Sequence, residues 1–236
     1  MKAEELTEER IKIEQIKTEQ AHFITKVYGW MCLALIITGL VAMWVASEQS
    51  LINAIIENRL VFYGLLIAEI LCVVYLVSII QKISSQTATL LFLLYAALNG
   101  LTFSIFFLIY TTNSIASTFF ITSGTFGVMS IYGYYTKTDL TTVGNLAYMG
   151  LTGLIIASIV NLFFYNDIMY WVTTYAGILI FVALTAYDTQ KIKELNVIGD
   201  EGTEEDKKEA IMGALSLYLD FINLFLKLLR LFGKRK

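Results

Sequence analysis

Apolar residues along this chain gather into seven runs, at 25–47, 59–81, 87–111, 114–136, 143–165, 168–190 and 209–232, parted by short polar breaks. At about 1.5 Å of rise per residue, each run is long enough as a helix to cross a hydrocarbon layer of about 30 Å. The breaks Glu48 to Asn58, Gln81 to Gln86, Thr111 to Ser114, Lys137 to Thr142 and Asn166-Asp167 leave room for tight connections only, so consecutive helices are predicted to be antiparallel neighbours. Only the connection from Lys191 to Lys208 is long. The pattern predicts an all-α integral membrane protein, a seven-transmembrane-helix bundle, with residues 1–22 as an N-terminal tail and 23–236 as one helical domain. No internal repeat marks the two-half symmetry of many transporters. Proline, the usual means of breaking a spanning helix, is absent.

The seventh run carries a second pattern. At 100° per residue, Gly213, Ser216, Asp220, Asn223, Lys227 and Arg230 fall within one arc of about 100°, and Leu215, Leu219, Phe221, Ile222, Leu226 and Leu229 lie outside it. Facing lipid, such a polar stripe is costly, so it is expected to point into the bundle or toward a water-filled cavity. An amphipathic helix lying in the interface is the alternative. Thr203, followed by Glu204, Glu205 and Asp206, reads as a helix start, with a hydroxyl cap and acids in the first turn.

Composition agrees with the class: 57% of residues are apolar and 16% charged, against roughly a quarter charged in a soluble domain. A net charge of -3 excludes the dense cationic face that nucleic acid requires. Cys32 and Cys72 both lie in apolar runs and read as small hydrophobes rather than a redox pair. The first run follows more than twenty residues of charged sequence and is as long as a span, so it is read as retained rather than as a cleaved signal. Lys2, Arg10, Lys12, Lys17, Lys26, Lys82, Lys137, Lys191, Lys193, Lys207 and Lys208 fall on one side, with Arg59 alone opposite before the last helix. By the positive-inside rule the N-terminus is cytoplasmic, in what is expected to be a bacterial inner membrane. The cluster Lys234, Arg235 and Lys236 conflicts with a seventh crossing. Either the earlier bias overrides it, or the last helix is re-entrant.

Three acids stand out because a carboxylate in a bilayer interior costs at least about 2.5 kcal/mol on insertion scales. Asp188 and Asp220 lie in or beside the last two runs, and Glu69 lies near the middle of the second. A lone acid such as Glu69 is either neutral and hydrogen-bonded, or an ion-guiding carboxylate. No Ser/His/Asp set, metalloprotease helix motif or phosphate-binding glycine loop occurs, so no enzyme is expected.

The strings FVALTAYDTQKIK (181–193) and ALSLYLDFINLFLKLLRLFG (214–233) resemble the two most characteristic segments of the Bax inhibitor-1, or transmembrane Bax-inhibitor-motif, family, in its bacterial type. KVYGWMCLAL (26–35), Glu69, NGLTFSIFFLIYT (99–111) and YGYYTKTDL (132–140) extend the likeness over nearly the whole chain after residue 22. The resemblance implies a seven-helix bundle whose last helix is central, surrounded by the other six, and a pH-sensitive calcium leak. It implies that Asp188 and Asp220 form a paired acidic sensor and ion gate. Some family members latch the second aspartate with an arginine at the cytoplasmic end of the second span. Here that stretch reads VSIIQKIS, which leaves Lys82 nearby and, on the last helix, Lys227 and Arg230 as candidate cationic partners.

Two carboxylates within hydrogen-bond reach in a poorly solvated site cannot both ionise cheaply, so they hold one proton between them. Loss of that proton sets like charges against each other, or admits a divalent cation. Oxygen ligands suit calcium, the expected transported or bound ion, with no other cofactor; the rest of its shell would come from water, backbone carbonyls, Glu69 or Asn223. A count of depth opposes the pairing. Asp188 is about 5 Å from the basic end of its run, and Asp220 about 15 Å past the apolar start at Ala210.

Asn99 and Asn161 are expected to bridge helices, His22 to be a solvated surface residue, the VYGW and YGYY clusters to lie at the interfaces, and Lys227 and Arg230 to reach headgroups. The charged tail is read as a short helix or as disordered. Two functions follow: a proton-gated cation leak, whose partners are the lipid bilayer, calcium ions and protons; or a non-transporting regulator of other membrane proteins, such as a membrane-anchored protease.

Overall fold

A computed structural model describes residues 2–195 and 202–236. Nine α-helices follow in order among these: α1 (Lys2–Ser47), α2 (Gln49–Glu57), α3 (Arg59–Ile79), α4 (Ser85–Phe103), α5 (Phe106–Ile109), α6 (Thr112–Tyr135), α7 (Thr141–Phe163), α8 (Asp167–Leu195) and α9 (Glu204–Phe232). Seven of them, counting a short 3-10 turn after α3 and α5 as a continuation of α4, are long and apolar enough to span a membrane. The protein is an all-α integral membrane bundle.

The last helix is central. Of the most apolar window of α9, 67% of residues are buried, against 39% in α4 and 6% in α3. α9 packs against α8, α1, α6 and α4, while α3 backs α4 and α7 backs α8. Four helices, rather than six, therefore make the immediate wall, and the exposed apolar faces of α3 and α7 form much of the lipid-facing surface. Tyr218 of α9 lies at the middle, fully buried, with its ring edge-on to Phe92 and Tyr95 and its hydroxyl 2.8 Å from the Thr38 hydroxyl. Thr38 also donates to the Ala96 carbonyl of α4 (2.8 Å), so one hydroxyl pair ties α1, α4 and α9 together.

The charged tail is neither a short helix nor disordered, because α1 runs unbroken from Lys2 to Ser47. Its first turns are rich in Glu, Lys and Ile without proline or glycine before Gly29, and Glu8 precedes Lys12 at the spacing that supports a helix. The break from Glu48 to Asn58 is also more ordered than expected: α2 buries Ile52 and Ile55 against Val45. The connection from Lys191 to Lys208 shrinks at both ends, since α8 continues to Leu195 and α9 begins at Glu204; residues 196–201 lie outside the described set.

Acids at the start of α9 fasten that end of the bundle. The Thr203 hydroxyl accepts from the Asp206 amide (3.1 Å) as a cap, and Glu204 accepts from both the amide and the hydroxyl of Ser85 at the start of α4 (2.9 and 3.0 Å). Asp206 pairs with Lys26 of α1 at 2.6 Å. At the other end the chain after α9 adds a short antiparallel pairing to the turn between α5 and α6. The Thr111 amide donates to the Lys234 carbonyl and the Lys236 amide to the Ile109 carbonyl, each at 3.0 Å. That contact decides between the two readings of the seventh helix. α9 crosses fully, and Lys234, Arg235 and Lys236 lie at the end opposite Lys26 and Asp206. A helix of 29 residues is about 44 Å long, more than the hydrocarbon thickness, so nothing forces it to turn back.

Candidate functional site

Asp188 joins three helices. It is buried on α8 (3% exposed) and accepts from the Ser216 hydroxyl of α9 at 2.5 Å and from the Tyr148 hydroxyl of α7 at 3.1 Å. The neighbouring Tyr187 ring lies over Gly144 of α7, where a Cβ would come within 2.4 Å of the ring, and meets Tyr148 edge-on at 6.1 Å. This close seat for the Tyr187 ring brings α7 and its Tyr148 hydroxyl up to the carboxylate.

Asp220 follows Ser216 by one helical turn on the same face, a spacing at which Cβ atoms are about 5–6 Å apart. It is also buried, at 5% exposed, and its Oδ2 has no hydrogen-bond partner among the described residues. The serine one turn before Asp220 on α9 is the one that holds Asp188. The contact with Ser216 thus brings the two acids to neighbouring turns, where the count of depth had set them well apart. That count placed the end of α8 near its lysines. The helix continues to Leu195, because Lys193 is packed inside the bundle's end, donating to the Tyr134 carbonyl at 2.9 Å with its ammonium over the Tyr134 ring at 5.1 Å.

Two cavities follow one another along α9. One of about 220 Å³ is lined by Asp188, Lys191, Ser216 and Leu219; the next, of about 420 Å³, by Glu69, Asn99, Tyr95, Leu219 and Asn223. Leu219 is a wall of both. Glu69 is half-buried and accepts a hydrogen bond from Thr102 of α4, and Asn223 donates to the Leu219 carbonyl at 2.8 Å. Glu69 and Asn223 therefore share a chamber separate from that of Asp188. Among the described residues no group of three or more His, Cys, Asp or Glu is placed to hold a metal ion.

The candidate cations lie elsewhere. Among the described residues, no ion pair joins Lys82, Lys227 or Arg230 to either aspartate. Lys82 is exposed after α3, and Arg230 sits over the Tyr170 ring at 5.3 Å. Lys227 does not reach out to headgroups. It is 9% exposed, with its stem in a notch left by Gly177 of α8. The asparagines differ from expectation too: Asn99 donates back to Tyr95 of its own helix (2.9 Å), and Asn161 accepts from the Asn166 amide (2.8 Å), closing the turn between α7 and α8. Within the spans, polar bridges between helices include instead Tyr148 to Asp188, Ser216 to Asp188, Thr102 to Glu69 and Thr38 to Tyr218. Of the hydroxyl residues in these bridges, only Ser216 lay on a periodic polar face in the sequence. The others are single hydroxyls in apolar runs, and the small Gly144 one turn before Tyr148 is the one signal that its face meets a neighbour.

The comparisons bear on the same segments. The family model described as "Inhibitor of apoptosis-promoting Bax1" matches residues 20–236. The inner membrane protein YbhL of Escherichia coli strain K12 is 47% identical over 215 residues, covering 91% of this chain and 92% of that protein. A protein of Borreliella burgdorferi is 45% identical, covering 98% of both chains, and RP147 of Rickettsia prowazekii is 44% identical, covering 91% of this chain and 90% of that one. The central helix, the YD and YLDF aspartates and a match that begins inside α1 and runs to the last residue agree: the chain belongs to the Bax inhibitor family of integral membrane proteins.

Proposed function

We propose that this protein is a proton-gated cation leak, with calcium as the ion carried, and that Asp188 and Asp220 are its gate. The observation that carries the reading is Asp220, a carboxylate in the middle of a membrane bundle with one oxygen unpartnered, one turn from the Ser216 that holds Asp188. A group so placed is costly in a chain that needs only stability, and polar residues inside spanning bundles mark ion or proton paths. A proton kept on Asp220 leaves the Ser216–Asp188 hydrogen bond to clamp α8 to α9. Its loss leaves two negative charges on adjacent turns, which draw in water and cations and loosen the clamp. The cation then passes from the Asp188 chamber, past Leu219, to Glu69 and Asn223. Among the described residues no third acid stands with the two aspartates as a metal-binding group, which suits a hydrated ion in transit.

The Lys and Arg bias supports a cytoplasmic N-terminus, and likeness to the E. coli relative supports a bacterial inner membrane. The test is calcium entry into liposomes holding the purified chain, from pH 5 to pH 8, for wild type, Asp188→Asn and Asp220→Asn. A flat response in wild type rejects the gate. Leu219→Ala, which removes the apolar partition between the chambers, is expected to raise wild-type flux several-fold at every pH. Unchanged flux would show that the path does not cross Leu219.

One observation favours the regulator. α1 begins at Lys2 and its apolar span at Ile16, so the helical turns before Ile16 extend beyond the spans, where a regulator would meet another membrane protein. Removing residues 2–19 separates the two readings: a leak keeps its flux, and a regulator loses its cellular effect while any flux persists.

A further inference from the structure

We propose that the space between α7 and α9 is a binding site for a long-chain carboxylate that enters from the bilayer. α7 packs on α8 rather than on α9, which leaves a cavity of about 380 Å³ beside Lys227. Lys227 is more than nine-tenths buried, and among the described residues its ammonium has no hydrogen bond and no ion pair. The Gly177 notch holds the stem: a Cβ there would lie 2.7 Å from the Lys227 Cε. A cation in the interior of a spanning bundle is costly unless an anion meets it, and the nearest acid on its own helix, Asp220, is two turns away.

The cavity's chemistry defines the occupant. The cavity wall also holds the Asn223 amide, with one N–H free after its bond to the Leu219 carbonyl, and the exposed Ser158 hydroxyl; the remaining wall is apolar, through Leu154, Ile155, Ile159 and Leu162. Ile155, Ile159 and Leu162 are exposed on the outer side of α7, which in a spanning helix faces acyl chains. The mouth therefore opens to lipid. An anionic head with an apolar tail matches both ends of such a site, and an ammonium, an amide and a hydroxyl are enough donors for the two oxygens of a carboxylate. Lys227 lies five residues, about 7 Å, inside the end of α9 at Phe232, and helical side chains lean toward the N-terminus, deeper still. A phospholipid headgroup anchored at the surface does not reach that depth, and the small head of a single-chain acid does. Asn223 also lines the Glu69 chamber, so an occupant would neutralise a cation beside the proposed ion path, although binding itself does not depend on conduction.

The test uses the full chain in nanodiscs of neutral phosphatidylcholine with a photoactivatable hexadecanoate, and labelled peptides are mapped by mass spectrometry. Labelling is expected on residues 151–162 and 223–227, competed by hexadecanoate and not by hexadecanol. Lys227→Met is expected to weaken binding about tenfold or more, the loss of a charge-assisted contact. Since that change removes an unpaired buried charge, the variant is expected to remain folded, which size-exclusion chromatography checks. Ile159→Trp, which fills the mouth and keeps the lysine, is expected to abolish labelling. Labelling that survives either substitution, or that hexadecanol competes equally well, overturns the proposal. Competition by phosphatidylglycerol but not by hexadecanoate overturns it as well, by assigning the site to a lipid phosphate.

Discussion

Calcium entry through the Asp220→Asn chain is expected to stay at its acidic level from pH 5 to pH 8, while entry through the wild type rises by about tenfold for each pH unit below the pKa of the pair and levels off above it, as the ionised fraction of one proton site does. Asparagine keeps the shape of a protonated carboxyl and cannot ionise. It therefore holds α9 in the clamped state, with Ser216 still bonded to Asp188 one turn away. Asp188→Asn tests the other half. Its amide can still accept from Tyr148 and Ser216 through one oxygen, so the three-helix contact is weakened rather than lost, while its own charge disappears. Both single variants are expected to be flat with pH, and the double variant no flatter than either, because the proton belongs to the pair. If Asp188→Asn alone kept the full pH response, Asp220 would be acting by itself and the pair would be rejected. Wild-type flux that falls as pH rises would reverse the sign of the gate and remove repulsion as its cause.

The parts of this fold that could be read in the sequence are those with a period. The polar stripe of α9 repeats at helical spacing, so Gly213, Ser216, Asp220, Asn223 and Lys227 point to the bundle or a cavity before any packing is known, while the central place of the helix comes from the family resemblance. Span lengths and tight breaks give the helix order for the same reason. What escaped reading depends on contacts between distant positions. Lysines at 191 and 193 look like a membrane boundary, yet α8 continues to Leu195 with Lys193 bonded to Tyr134, and Asp188 stands level with Ser216. Lys227 looks like a headgroup anchor until the Gly177 notch of another helix is known to receive it. Tyr148 and Thr102 each supply a single hydroxyl to a buried acid, and a single hydroxyl leaves no periodic trace.

The largest effect on stability is expected at Gly133, which lies in the YGYY string and looks there like part of an aromatic belt. A Cβ at this position would stand 2.1 Å from the Ala186 carbonyl oxygen, 2.9 Å from its carbon and 3.0 Å from its Cα. All three atoms are backbone of α8, so no side chain can swing away, and α6 and α8 must separate by about an ångström or more to restore van der Waals distance. Close approach at small residues is what holds helices together in lipid, where apolar side chains gain little by leaving the acyl chains. Gly133→Ala is expected to cost at least the upper end of the overpacking range, about 3 kcal/mol, and Gly133→Val to leave little folded protein. Thermal unfolding in detergent checks this, with Gly127→Ala as the comparison: the same helix, nothing within 4 Å of the new methyl, and a melting temperature at or above that of the wild type. Because Ala186 precedes Asp188 by two residues, the same displacement pulls the carboxylate away from Ser216. Folded Gly133→Ala should therefore also leak with a weaker pH response, and a variant that melts like the wild type would show that α6 and α8 are not in contact there.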